Sequence, residues 1–176
     1  MTVDTESPHG ILLWLTWLSD TAWSTNLRES LWTYPIVDTI HVLGLIGFVG
    51  AAILLDLRLA GITLTTLAVS DVVERTRRGL FSGFAVMAVT GLLLFAANPV
   101  KFATNPFFQI KLGLLAIAGL NAGFFQYSTA RRMAAWDRDV VPPLPARAAG
   151  WLSLAVWTTI IAVGRLIAFY ETGGGV

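Results

Sequence analysis

Three ionisable residues lie at a similar depth in three apolar segments of the chain: His41, Lys111 and Arg165. At 1.5 Å of rise per residue, each lies roughly 8–9 Å inside its predicted helix end. A charge at that depth in a membrane costs roughly a few kcal/mol unless it finds a partner. Imidazole is a common ligand of haem iron and of copper, and two nearby cations suit an anionic ligand. The three residues therefore predict a single polar site within the membrane.

A carboxylate accompanies the histidine. Asp38 precedes His41 by one helical turn, so both side chains lie on the same helix face. The Asp38 carboxylate could orient the imidazole ring, share a metal ion with it or stay solvated. Lys111 and Arg165 have no carboxylate in their own segments. A lysine can reach the interface along its flexible stem, whereas an arginine forks onto carboxylates, so pairing is expected more strongly of Arg165.

Haem b fits this set of residues. We predict that His41 binds the iron, that Lys111 and Arg165 hold the propionates and that Asp38 tunes the site or holds a second metal ion. Haem in a four-helix bundle often has two axial histidines, but no second histidine lies in an apolar segment. With one histidine, the haem would be five-coordinate and open to a small molecule, or closed by a sixth ligand, for which the candidates are His9, Met87, Tyr34 and Tyr170.

The predicted activity is electron transfer, or redox chemistry on a small molecule, at the periplasmic face. Whether the chain is an enzyme, as a membrane oxidoreductase would be, stays open. One alternative is a protein that binds or handles copper through His41 and Asp38, with help from Glu29 or His9. Another is a scaffold or subunit without catalytic activity, in which the charged residues only hold the helices together.

The elements that must position these residues are transmembrane helices. Of the 176 residues, 55% are hydrophobic and 13% are charged. Four segments, at about 35–56, 79–98, 106–128 and 149–170, can each cross a hydrocarbon core of about 30 Å. We predict an all-α membrane protein, a four-helix bundle that forms one domain over 1–176. The absence of cysteine excludes disulfides, thiolate ligands and iron–sulfur clusters.

The segment at about 11–32 is predicted to be helical and to lie in the membrane interface, because it is rich in tryptophan. A short amphipathic helix capped by Ser70 is expected in the first connection. Polar residues within the spans are expected to form hydrogen bonds between helices; they are Thr90, Asn121, Gln126, Thr158 and Thr159.

Charge predicts the orientation, because arginine-rich short loops stay in the cytoplasm. The connections after the first and third spans hold most of the arginines: Arg58, Arg75, Arg77, Arg78, Arg131, Arg132, Arg138 and Arg147. This pattern predicts a multi-pass membrane protein with both termini outside the cytoplasm.

The sequence also bears on partners. It has no basic patch interleaved with aromatic residues, so nucleic-acid binding is not expected. Glycine faces, such as Gly119 with Gly123, predict close helix packing or a homo-oligomer, and a quinone or another redox partner is a further expectation.

The segment LRESLWTYPIVDTIHVLGLIGFVGAAILLDLRLAG resembles the start of a family of small bacterial four-span membrane proteins of unknown function. The family pattern is Glu/Asp-x-x-His-x-Leu followed by Asp-Leu-Arg-Leu-x-Gly, and the likeness extends through FFQIKLGLLAIAGLN to VGRLIAFYE. Its motifs fall on Asp38, His41, Asp56, Arg58, Lys111, Asn121, Trp136 and Arg165. At Asp38 the family usually has glutamate. The likeness to a bacterial family implies a bacterial inner membrane with both termini in the periplasm. A weaker likeness to copper-resistance membrane proteins and small b-type cytochromes implies a metal or haem by analogy alone.

Overall fold

The computed structural model describes residues 8–173 and, of these, the side chains of 10–170. All regular elements within this range are helices. In chain order they are α1 (Pro8–Ser19), α2 (Ala22–Glu29), α3 (Thr33–Ala60), α4 (Val69–Ala97), α5 (Pro99–Thr104), α6 (Pro106–Phe124) and α7 (Leu144–Gly173). A π-helical turn, Phe125–Thr129, and a 3₁₀ turn, Ala130–Ala135, continue α6. The predicted all-α fold class is confirmed.

Four helical stretches are long and apolar enough to cross a membrane: Thr33–Ala60, Val69–Ala97, Pro106–Ala135 and Leu144–Tyr170. Each matches one of the four predicted spans, although the second helix ends one residue before the predicted limit at 98. The chain is thus a multi-pass helical membrane protein. The predicted interfacial segment, about 11–32, covers most of α1 and all of α2, which are joined by a short turn at Thr21.

The membrane helices pack in the order α4, α3, α7, α6, so that α7 lies between α3 and α6. All four contribute to one apolar core around Phe48, Ala118, Trp157 and Ile160. Between α4 and α6 the rings of Phe95 and Phe108 stack, with their centroids 5.6 Å apart. The four helices therefore surround a common interior, although α4 and α6 have little backbone contact.

We call the two ends of the bundle the α5 end and the Trp136 end, after the element and the buried residue found there. At the α5 end, the buried hydroxyl of Ser24 on α2 donates to the Ala96 carbonyl oxygen at 2.8 Å. Asn105 starts α6, since its side chain accepts hydrogen bonds from the N–H groups of Phe107 and Phe108. These contacts hold α2, α4, α5 and α6 together around the α5 end.

Arg58 organises the Trp136 end, where it is fully buried at the end of α3. Its Nε donates to the Leu67 carbonyl oxygen and its Nη2 to that of Asp139, both at 3.0 Å. These bonds tie both connections of this end to α3. Gly61, with φ of 76°, ends α3 in the left-handed conformation that glycine adopts without strain.

The amphipathic helix predicted in the first connection is not a separate element, because its second part is the start of α4. Nor does Ser70 cap it: the Ser70 N–H donates to Asp137 Oδ1 at 2.7 Å and its hydroxyl to Asp137 Oδ2 at 2.8 Å. The cap therefore comes from the connection between α6 and α7. The prediction was wrong because it searched only the neighbouring sequence for a capping group.

Candidate functional site

His41 lies on the side of α3 that faces α4, about two turns from the α5 end. Its Nδ1 atom is 2.9 Å from the Oγ1 atom of Thr90 on α4. Oγ1 also donates to the Val86 carbonyl oxygen at 2.6 Å. A hydroxyl has one proton to donate, so Thr90 accepts from Nδ1–H of the neutral imidazole. This tautomer leaves the lone pair of Nε2 free for a ligand.

The backbone of α4 approaches the ring closely at Gly91. A Cβ atom at this position would lie 3.2 Å from His41 Cε1, which is tighter than most real contacts of such an atom. Glycine therefore leaves space for the ring beside α4. With Thr90 buried and His41 half-buried, the imidazole has a fixed position between two helices.

Lys111 approaches the same region from α6. It is half-buried and lies on the face of α6 that carries Leu114, Leu115 and Ala118 into the core. Its charge acts on the His41 ring, as does the charge of exposed Asp38. Within the described side chains, Lys111 has no hydrogen bond and no ion pair; the ion pair found there joins Arg77 to Glu74. The site therefore contains a cation without an anionic partner among those side chains.

Arg165 is placed differently from the prediction. It is exposed, and its guanidinium carbon lies 5.1 Å from the centroid of the Phe169 ring. Val163 and Ile167, two residues to either side, are buried, so Arg165 lies on the opposite face of α7. Among the described contacts, none brings Arg165 to His41 or Lys111. The structure thus places Lys111 and Asp38 near His41 but leaves Arg165 on the outer face of α7.

The described residues contain no group of three or more histidine, cysteine, aspartate or glutamate side chains that could hold a metal ion. The side chain of His9, considered above as a ligand, lies outside the described residues. Met87 is a partly buried core residue, and the Tyr170 ring packs edge-on against Phe107. Within the described residues of the site, His41 is thus the side chain that offers a nitrogen ligand to a metal or haem iron.

Thr90 and Gly91 are the site residues that sequence reasoning missed. Thr90 was expected to bond across helices, and it does so, but its partner His41 was not foreseen. The signal was depth: Thr90 lies about two turns before the end of α4, level with His41 on the antiparallel α3. Of the other expected bonds between helices, Asn121 forms one, to the Ala149 carbonyl oxygen. Thr158 and Thr159 instead donate to carbonyl groups of their own helix.

Comparisons of this chain with protein-family models, with curated proteins and with solved structures find no match.

Proposed function

We propose that the protein binds haem b through Nε2 of His41 and takes part in electron transfer. The observation that carries this proposal is the hydrogen bond from His41 Nδ1 to Thr90 Oγ1. A second group that holds the other ring nitrogen is the usual way in which proteins orient a metal-binding histidine and fix its tautomer. When bound, haem would supply one-electron redox chemistry.

The donor set favours haem over a bare metal ion. A metal ion held by the protein alone usually takes three or four side chains, and the described residues offer no such group around His41. Haem brings four nitrogen ligands of its own and needs one or two from the protein. Copper bound by His41 and Asp38 is the alternative, favoured by the position of Asp38 one turn before the ring.

Lys111 is the residue that we assign to a propionate. An ammonium group half-buried among apolar side chains is stabilised by an anionic partner, and the described side chains provide none. Arg165, which the sequence predicted as a second propionate partner, is exposed on the outer face of α7 and is not assigned to a propionate in this proposal. Because Lys111 is half-buried and Arg165 is exposed, substitutions of the two residues form a matched pair.

We further propose that the α5 end faces the periplasm of a bacterial inner membrane. The long arginine-rich connection, 125–143, and the start of α4 both lie at the Trp136 end. Arginine-rich segments are retained in the cytoplasm, so His41, Lys111 and both termini would lie towards the periplasm. A periplasmic redox protein, a quinone or a second copy of this chain would be the partner for electron transfer.

The visible spectrum tests the proposal. The protein is expressed in cells replete in haem and copper and purified in detergent, and metal analysis is done on the same sample. We expect a Soret band that is lost in His41→Ala and retained in His9→Ala, which removes the other histidine of the chain. A folded preparation without haem would overturn the haem proposal. Copper without a Soret band would support the alternative. A preparation free of both haem and copper would favour a scaffold or subunit without catalytic activity.

A further inference from the structure

A second polar group is buried in the bundle, at the Trp136 end. Asp56 lies on α3 about one turn before its end, and only 6% of its surface is exposed. Its Oδ2 atom is fully buried and has no hydrogen-bond partner. The side chain that offers the carboxyl group a hydrogen bond is Ser153 of α7. Asp56 is thus a carboxyl group in an apolar interior, and only one of its two oxygen atoms has a hydrogen-bond partner.

Cations lie at the same end of the bundle as Asp56, but none of those described forms an ion pair with its carboxyl group. The Arg58 guanidinium donates to the connections, as described above, and on α6 the polar residue of this region is Asn121, which bonds to α7. Among the described residues, no lysine or arginine nitrogen lies within 4.0 Å of the Asp56 carboxyl oxygens. The charged residues of the elements packed around this end are Arg58 on α3, Asp71, Glu74, Arg75, Arg77 and Arg78 on α4, Arg131, Arg132, Asp137, Arg138 and Asp139 after α6, and Arg147 on α7. Of these, Arg58 Nη1 and Arg147 Nε are buried and also lack a hydrogen-bond partner.

Helix packing keeps water from this carboxyl group. A Cβ atom at Gly150 of α7 would lie 2.7 Å from the Asp56 carbonyl oxygen and 3.1 Å from Leu59 Cβ. The helices α3 and α7 therefore meet backbone to backbone beside Asp56, at a position where only glycine fits. Larger residues would separate the two helices and admit solvent.

An ionised carboxylate buried without a cation costs far more free energy than the neutral acid. We infer that Asp56 is a proton-binding site, in which the proton resides on Oδ2 while Ser153 bonds to the other oxygen. Intramembrane carboxyl groups of this kind serve in proton relays. Asp56 lies about 22 Å from His41 along α3, so the inference is independent of the haem proposal.

Infrared spectroscopy in H₂O and D₂O tests the inference on the full chain. At neutral pH, the protein should show the C=O band of a protonated carboxyl group in an apolar environment, shifted by deuterium. The band should be lost in Asp56→Asn and retained in Asp71→Asn, which removes an exposed carboxylate of α4. Ser153→Ala keeps the carboxyl group but removes its hydrogen bond, so the band should move to higher frequency; this reading holds even where Asp56→Asn does not fold.

Three results would overturn the inference. One is a wild-type spectrum at neutral pH without such a band. Another is a band that remains unchanged in both Asp56→Asn and Ser153→Ala. The third is a band that disappears at constant pH when sodium chloride replaces choline chloride, because the site would then bind a monovalent cation in exchange for the proton.

Discussion

Gly83 of α4 lies directly against the backbone of Phe48 of α3. A Cβ atom at position 83 would be 2.8 Å from both the Phe48 nitrogen and its Cβ atom. The ring of Phe48 packs in turn against Trp157 of α7, with centroids 4.7 Å apart. Since apolar surface gains little from leaving lipid, such close backbone approach is a main source of helix association in a membrane. This contact fixes the register of α4 on α3.

The first prediction concerns this contact. Gly83→Ala should lower the free energy of unfolding by about 1–3 kcal/mol, because the added methyl group must separate two backbones. Gly113→Ala on α6 is the matched control, since a Cβ atom there meets nothing within 4 Å. The measurement is unfolding in mixed detergent micelles. Equal effects of the two substitutions would contradict the role assigned to Gly83.

A second prediction concerns the position of the His41 ring. Gly91→Ala should displace the ring by a few tenths of an ångström and change the Soret maximum and reduction potential without loss of haem. Gly47→Ala on α3 adds a methyl group in open space and serves as the control. Identical spectra of both variants and wild type would show that the ring does not hold the haem where we place it.

The third prediction compares the two cations. Lys111→Gln should weaken haem binding roughly ten- to a hundredfold, because one charge-assisted contact to a propionate is lost. Arg165→Gln, on the outer face of α7, should change haem affinity much less. Haem titration of the apoprotein measures both. A larger loss in Arg165→Gln would reverse our assignment of the propionate.

The fourth prediction concerns pH. Hydrogen bonds from the Ser70 N–H and hydroxyl, together with the charges of Arg138 and Arg58, hold the pKa of Asp137 below its usual range. The stabilisation by its carboxylate is therefore present above the unfolded pKa of about 3.9 and is lost as the pH falls through the lower folded value. Asp137→Asn should destabilise the protein at neutral pH by about 1 kcal/mol or less, since its hydrogen bonds to Ser70 are solvent-exposed.

The measurement for this fourth prediction is unfolding as a function of pH. The difference between wild type and Asp137→Asn should shrink towards acid pH. The exposed Asp20, at the α5 end, provides the control as Asp20→Asn. A difference that is constant with pH would show that the Asp137 carboxylate is not what caps α4.

The spans could be predicted from the sequence because apolar runs of sufficient length have few alternatives in a membrane. The depth of His41 and Lys111 followed from the same count, and both approach one region of the interior. Depth alone was insufficient for Arg165, since the helix face decides whether a residue points inwards. Its neighbours Val163 and Ile167 carry that information, but only once their burial is known.

Thr90 could not be assigned to His41 from the sequence because the pairing depends on how α4 is positioned along α3. Close contacts at Gly83 and Gly91 set this register, and both involve residues distant in the chain. The cap on α4 has the same origin, since Asp137 and Ser70 meet only through the fold.

The position of α7 between α3 and α6 constrains biosynthesis. The hairpin of α3 and α4 can pack as soon as both helices have left the ribosome. By contrast, α6 enters the membrane before the helix against which it packs has been synthesised. Until α7 has been synthesised, Asn121 lacks the Ala149 carbonyl oxygen to which it donates. The last helix is therefore the one that converts two separate membrane segments into a single bundle.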